Sequence, residues 1–127
     1  MSSGNSSEAG PEVRPDLCAT VCVDLDGVLN AYDGWRGADY FHPPRPGARE
    51  FLRRLNECGY EVVVLTVRWA PHVEEWLSRN GMAEYVARVT NLKPPAHVYI
   101  DDRALCFQGE FETLLNQLPG FRAHWEK

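Results

Sequence analysis

Residues 20–29 read Thr-Val-Cys-Val-Asp-Leu-Asp-Gly-Val-Leu, an apolar run that ends abruptly in two carboxylates and a glycine. The run is rich in valine, which indicates a strand buried on both faces of a parallel sheet. Asp24 and Asp26 are two residues apart, so an extended chain directs both side chains to one side. Gly27 lets the backbone turn away. Since close carboxylates repel each other and a divalent cation relieves that repulsion, the pattern predicts either a metal site or an acidic strand end.

The composition is that of one ordinary globular domain, with 127 residues of which 44% are apolar and 24% charged. The formal net charge of −5 argues against broad binding to nucleic acids or anionic membranes, while a local basic patch stays open. No apolar run approaches the roughly 20 residues that span a bilayer, and we find no secretion signal. The four cysteines form no CxxC pair, so we expect reduced thiols in a cytoplasmic protein.

Two segments differ in composition from the rest of the chain. Residues 1–16 are rich in Ser, Gly, Glu and Pro, so we expect a disordered leader there, followed by a single domain at residues 17–127. Residues 30–46 combine Gly and Pro with several aromatic side chains. Long loops of this kind in compact domains are usually functional or disordered, and the aromatic side chains favour an ordered, functional loop.

The remaining segments alternate between predicted strands and helices. Strands are expected at residues 17–24, 60–66, 86–90 and 97–101. Helices are expected at residues 46–58, 71–80 and 110–118. The first two helices carry apolar stripes, formed by Phe51, Leu52 and Leu55 and by Val73, Trp76 and Leu77. This alternation predicts a parallel sheet with helices on both faces, and the tail at residues 121–127 could add an edge strand.

Four chemically active side chains stand at or near strand ends, although they are far apart in sequence. Asp24, Thr66 and Asp101 each close an apolar strand, and Lys93 stands just before another. Ligands of open α/β sheets bind beyond the carboxyl ends of the strands. We therefore expect these four residues to converge in one crevice.

The same motifs, in the same order, resemble those of the haloacid dehalogenase (HAD) superfamily of phosphohydrolases over about residues 17–118. The matching segments are Asp24-Leu25-Asp26-Gly27, Val64-Leu65-Thr66, Lys93 in Asn91-Leu92-Lys93-Pro94-Pro95-Ala96, and Tyr99-Ile100-Asp101-Asp102. The segments Lys93-Pro94-Pro95-Ala96 and Ile100-Asp101-Asp102-Arg103-Ala104 look in particular like those of small bacterial and phage members with poorly defined substrates. The resemblance implies a three-layer Rossmann-like sheet with strand order 4-1-2-3. No connecting segment is long enough for a separate lid, so we expect no cap domain.

The resemblance implies a phosphatase that acts through an aspartyl-phosphate. Asp24 would be the nucleophile, and Asp26 would protonate the leaving oxygen and then activate water. Thr66 would donate a hydrogen bond to the phosphoryl group, and Lys93 would offset the negative charge of nucleophile and phosphate.

The resemblance also implies Mg²⁺ as the cofactor. The ion would be held by Asp24, the backbone carbonyl of Asp26 and Asp101, with Asp102 contributing through water. Without a cap the crevice stays open, which suits a large substrate, such as a protein or polynucleotide end, or closure by a second subunit. The phosphorylated substrate could be such a macromolecule end or a small molecule.

Several basic and aromatic side chains allow two interpretations each. Arg68 could bind substrate phosphate or carboxylate, or could be a surface arginine. Arg103 could pair with Asp101 or Asp102. Trp35 and Arg36 could contact substrate or anchor the long loop. The histidines show no metal-ligand spacing and are expected to be structural or exposed; they are His42, His72, His97 and His124.

Two other classes of protein compete with the phosphatase. A receiver-type phospho-acceptor domain also carries an aspartyl-phosphate, but its paired acids precede the acceptor, whereas here they come last. A non-catalytic descendant that binds phosphate or a partner is the second alternative. The complete set of acids, Thr66 and Lys93 argues against it.

Overall fold

The protein is an α/β domain built on four parallel strands, seen in a computed structural model that describes residues 19–126. The strands are β1 (Thr20–Asp24), β2 (Glu61–Leu65), β3 (Arg88–Thr90) and β4 (Val98–Ile100). Their spatial order is β3-β2-β1-β4, which is the predicted order 4-1-2-3 read from the opposite edge. The α/β class is confirmed, and the expected leader at residues 1–16 lies outside the described range.

In the described part of the chain, three helices accompany the sheet: α1 (Ala48–Glu57), α2 (Ala70–Arg79) and α3 (Phe111–Gln117). Short 3₁₀ turns occupy Ala83–Tyr85 and Leu118–Gly120. The edge strand considered for the tail does not form at residues 121–126. Among the described residues, no helix combines the length and the apolar character that a bilayer crossing requires.

The core lies on one face of the sheet and is formed by β1, β2, α1 and α2. Its members are almost all inaccessible, and they include Val21, Val23, Leu52, Val62, Val64, Val73, Trp76 and Leu77. Both crossovers step in the same direction across the sheet. Because crossovers between parallel strands are right-handed in nearly all proteins, both helices are expected on the same face, where they share one core. Phe51, expected in the apolar stripe of α1, is 36% exposed, so Ala48 and Leu52 carry the burial of that helix.

The opposite face of the sheet departs from the expectation of helices on both sides. Cys22 and Val63 are buried there, but α3 contains no buried residue and does not cover this face as α1 and α2 cover theirs. The chain passes from β3 to β4 without a helix. In that crossover Pro94 is buried, and its carbonyl accepts the hydroxyl of Tyr99, the residue that pairs with Cys22.

The long loop at residues 30–46 is ordered and has a defined stem. Asn30 and Pro44 form an antiparallel bridge, and the Ala31 N–H donates to the Pro43 carbonyl at 2.8 Å. The loop is also fastened to α2, because the Trp76 indole N–H donates to the backbone carbonyl of the buried His42 at 3.2 Å. The stem returns the chain to α1 and leaves the loop beside the carboxyl end of β1.

Candidate active site

The carboxyl ends of the parallel strands form a cleft of about 490 Å³. Asp24 is the last residue of β1, and Asp101 directly follows β4, its neighbour on one side. Thr66 directly follows β2, the neighbour on the other side. The predicted site residues that line the cleft are Asp24, Asp26, Thr66, Lys93, Asp101 and Asp102. The structure therefore brings together the residues that the sequence analysis expected at one crevice.

Three carboxylates form the centre of the cleft. Asp24, Asp101 and Asp102 each offer an oxygen atom, and these atoms lie within 4.8 Å of one another. Oxygen ligands at this spacing suit a hard divalent cation such as Mg²⁺, so the donor set fits the expected metal. The Asp26 side chain does not belong to this cluster.

The charges of Asp24 and Asp102 are strongly interdependent in the absence of a cation. Burial, a hydrogen bond with Asp102 and repulsion from Asp101 and Asp102 raise the pKa of Asp24 from 3.8 to about 8. Burial also disfavours the charged form of Asp102, but hydrogen bonds with Asp24 and Trp125 outweigh it and lower the pKa of Asp102. Asp24 and Asp102 therefore share one proton near neutral pH. A divalent cation bound between the two carboxylates would replace that proton.

Asp26 is fixed by two donors on the floor of the cleft. Its Oδ1 accepts the Asn30 side-chain amide at 2.9 Å, and its Oδ2 accepts Arg68 Nε at 2.8 Å. Asn30 is fully buried, and its own oxygen accepts the N–H groups of Gly27 and Tyr32, each at 3.1 Å. The sequence analysis did not identify Asn30 as a site residue. The available signal was its position directly after the apolar Val28 and Leu29.

Arg68 is buried rather than exposed, so its interpretation as a surface arginine is wrong. Its side chain is 3% accessible, and its guanidinium carbon lies 4.9 and 4.5 Å from the ring centroids of Trp35 and Phe41. Its Nη1 donates to the Ala38 carbonyl at 3.0 Å. Nη2 is buried and has no hydrogen-bond partner among the residues described. Arg68 thus joins the long loop to Asp26, and a direct contact with substrate stays a prediction.

Thr66 follows β2 and Lys93 lies in the segment that connects β3 to β4, and both residues line the cleft. Thr66 is buried, and its Oγ1 accepts the Arg68 N–H at 3.1 Å, which leaves the hydroxyl hydrogen able to donate into the cleft. Lys93 is exposed, with Nζ 4.4 Å from the centroid of the Tyr99 ring. A hydroxyl donor and an exposed ammonium group therefore border the carboxylate cluster.

Of the remaining candidates, the Arg103 and Arg36 side chains are held in ion pairs, and Trp35 lines the cleft. Arg103 pairs with Glu126 at 3.3 Å rather than with Asp101 or Asp102, although its backbone N–H donates to Asp101 Oδ1. Arg36 pairs with Asp33 within the loop at 3.1 Å and does not line the cleft. Trp35 does line it and is 61% exposed.

The C-terminal tail also reaches the site, which no sequence pattern had indicated. The Trp125 indole N–H donates to Asp102 Oδ2, and His124 Nε2 lies 2.6 Å from the Gly27 carbonyl oxygen. Gly27 has a φ of +91°, and a Cβ added there would lie 2.1 Å from Asp102 Oδ2. The turn after the first two acids therefore requires glycine both for its backbone conformation and for space.

Comparison with known proteins supports the fold alone. No family model matches the chain, and no curated protein matches it. A conserved protein from Bacteroides thetaiotaomicron is similar in structure, with a TM-score of 0.54 and 18% identity over 80% of this chain and 89% of that one. An uncharacterized protein from Listeria monocytogenes serotype 4b aligns with a TM-score of 0.46 and 17% identity over 79% of this chain and 60% of that one. At such identities the first likeness indicates a shared architecture and nothing about activity.

Proposed function

We propose that the chain is a Mg²⁺-dependent phosphomonoester hydrolase of the HAD type that acts through an aspartyl-phosphate on Asp24. The observation that carries the proposal is the convergence of three carboxylates on one cleft that Thr66 and Lys93 also line. An acidic cluster alone would suit many roles. A hydroxyl donor and a lysine beside it add the groups that a phosphoryl dianion requires.

Asp24 is oriented for attack by its own backbone. Its Oδ1 accepts the N–H of Leu25 at 2.9 Å, which fixes the plane of the carboxylate at the end of β1. A carboxylate oxygen of Asp24 attacks phosphorus, the bond to the leaving oxygen breaks, and the phosphoryl group remains on Asp24. Thr66 donates to a phosphoryl oxygen while Lys93 balances its charge. A Mg²⁺ ion bound by Asp24, Asp101 and Asp102 would supply further stabilisation of the negative charge that gathers there.

Asp26 is the acid and base of the proposed reaction. It gives a proton to the leaving oxygen in the first half. In the second half it takes a proton from the water that attacks phosphorus, while the bond from phosphorus to the Asp24 oxygen breaks and inorganic phosphate leaves. Asn30 and Arg68 hold its two oxygens, so the side chain has one orientation while it still lines the cleft. This fixed orientation is what general acid–base catalysis requires of its participants.

The described part of the chain has no lid domain over the cleft, and of the loop at residues 30–46 only Tyr32 and Trp35 line it, beside the short loops that follow the strands. An open cleft suits a phosphorylated small molecule, a phosphorylated end of a protein or polynucleotide, or closure by a second copy of the chain. A cytoplasmic location also stays a prediction.

The decisive experiment is turnover of an aryl phosphate by the purified chain, with and without Mg²⁺. Hydrolysis that needs Mg²⁺, is lost in excess chelator and is absent from Asp24→Asn supports the proposal. Binding of inorganic phosphate without any turnover would favour the non-catalytic alternative. Turnover that persists in chelator would contradict the metal-dependent mechanism.

A further inference from the structure

The last described segment, residues 121–126, is folded against the candidate site and held in place. Ala123 is 2% exposed, and its N–H donates to Glu126 Oε1 at 2.8 Å. The same Glu126 oxygen lies 3.3 Å from Arg103 Nη1. Arg103 in turn lies next to the paired acids in sequence and stacks near the Trp125 ring at 5.7 Å. The tail is thus tied to the segment that carries Asp101 and Asp102.

The tail also contacts the other half of the site. His124 Nε2 lies 2.6 Å from the Gly27 carbonyl, and the Trp125 ring meets the Tyr32 ring edge-on with centroids 4.8 Å apart. A Cβ added to Gly27 would lie 3.0 Å from Trp125 Nε1. The indole therefore fits tightly between the turn that follows β1 and the carboxylate that follows β4.

We propose that Trp125 is a positioning residue for the cation site. Its indole nitrogen can only donate, and it donates to Oδ2 of Asp102. This contact occupies one oxygen of Asp102 and leaves the other available to the cluster with Asp24 and Asp101. Hydrogen bonds to metal-ligating carboxylates from surrounding residues orient the ligands, and their loss typically costs 10–100-fold in metal affinity or activity. The inference depends on the proposed function only in taking this cluster as the place where a cation binds.

A purely structural role for Trp125 predicts a different outcome. The ring packs against Tyr32, and a phenylalanine would keep an aromatic ring at that contact while removing the N–H. Substitution by phenylalanine therefore separates the hydrogen bond from the packing. Trp69 is a matched control, because it is 68% exposed and does not line the cleft.

The test measures Mg²⁺ binding by titration calorimetry, without substrate, for the wild-type chain, Trp125→Phe and Trp69→Phe. We expect Trp125→Phe to raise the dissociation constant by about 10-fold or more, and Trp69→Phe to leave it unchanged. Circular dichroism and the melting temperature in chelator report whether Trp125→Phe folds. If Trp125→Phe does not fold, Trp125→His, which keeps a ring N–H, is compared with Trp125→Leu. The histidine variant should then bind Mg²⁺ more tightly than the leucine variant.

The outcomes distinguish a failure of the positioning role of Trp125 from a failure of the proposed phosphatase function. Equal Mg²⁺ affinity of wild type and Trp125→Phe, or of the histidine and leucine variants, overturns the positioning role. It leaves the proposed phosphatase untouched. If Trp125→Phe binds Mg²⁺ weakly while no phosphomonoester is hydrolysed by the wild-type chain, the positioning role stands and the proposed function fails.

Discussion

Arg68 Nε and Asp26 Oδ2 lie 2.8 Å apart across 42 positions of sequence, and the Arg68 side chain is 3% accessible. The pair joins the segment after β2 to the turn after β1. Removal of one partner from a buried pair leaves the other uncompensated, which is far more costly than the loss of an exposed pair.

Arg68→Met should therefore destabilise the protein by about 3 kcal/mol, measured by urea unfolding. The value lies at the lower end for a buried pair because the Asp26 side chain is 22% accessible. Arg36→Met is the control, since the Arg36–Asp33 pair is more than half exposed and should contribute less than about 1 kcal/mol. If both variants lose the same free energy of unfolding, the Arg68–Asp26 pair stabilises the protein no more than the exposed Arg36–Asp33 pair does.

The Asp24→Asn and Asp26→Asn variants should lose phosphatase activity at different steps of the reaction. Asp24→Asn removes the nucleophilic oxygen, so no phospho-enzyme should form and turnover should vanish. Asp26→Asn keeps the nucleophile but loses the base for hydrolysis, a contribution of about 10²–10⁴-fold. An activated aryl phosphate should then leave a phosphorylated Asp24, seen as a mass increase that hydroxylamine removes. Near-normal turnover by Asp24→Asn, or a label on another residue, contradicts the mechanism.

The stability of the metal-free protein should fall as pH rises between about 4 and 8. The pKa of Asp24 is raised from 3.8 to about 8 in the folded chain. In that window the folded state binds more protons than the unfolded state, so the free energy of unfolding decreases with pH. The lowered pKa of Asp102 acts in the opposite sense, and only below about pH 4.

This pH dependence can be measured as the melting temperature in chelator across the same range. Asp24→Asn should flatten the curve, and Mg²⁺ should do the same for the wild-type chain. Asp39→Asn, at an exposed position of the long loop, should leave the slope unchanged. A wild-type curve that rises from pH 5 to 8 in chelator would show that the shared proton does not govern stability.

Trp35 should influence which phosphomonoesters bind well. It lines the cleft, is 61% exposed, and lies on the Arg68 guanidinium, which holds its ring in place. Aromatic contacts contribute about 0.5–1.5 kcal/mol beyond area burial. Trp35→Leu should therefore raise KM for aryl or nucleoside phosphates by about 3- to 10-fold and leave small alkyl phosphates unchanged. Trp69→Leu is the control, and a uniform change across all substrates would exclude a selective contact.

The sequence predicted the central elements because their signals are local. The valine runs of β1 and β2 identify buried strands, and the stripe of Val73, Trp76 and Leu77 identifies the inner face of α2. Residues that end parallel strands must share one edge of the sheet, so the meeting of Asp24 and Asp101 followed from strand order alone.

The contacts that the sequence did not reveal are long-range and depend on side-chain geometry. His124 and Gly27 are separated by 97 positions, and no periodicity connects them. Whether Arg68 faces solvent or Asp26 depends on the path of the loop that covers it. The second face lacks a covering helix among the described residues because the β3–β4 connection, residues 91–97, is too short to contain one.

The edge position of β4 affects the local stability of the candidate site. Within residues 19–126 this three-residue strand pairs with β1 alone. Val98 and Tyr99 are 41% and 39% exposed, whereas Val21 and Val23 of β1 are at most 2% exposed. Weakly buried edge strands fray at a lower free energy than the global unfolding of the domain. Fraying of β4 would carry Asp101 and Asp102 away from Asp24 while the core stays intact. A cation that bridges both strands would oppose this fraying, so amide hydrogen exchange in β4 should slow when Mg²⁺ binds, while exchange in β1 and β2 should change far less.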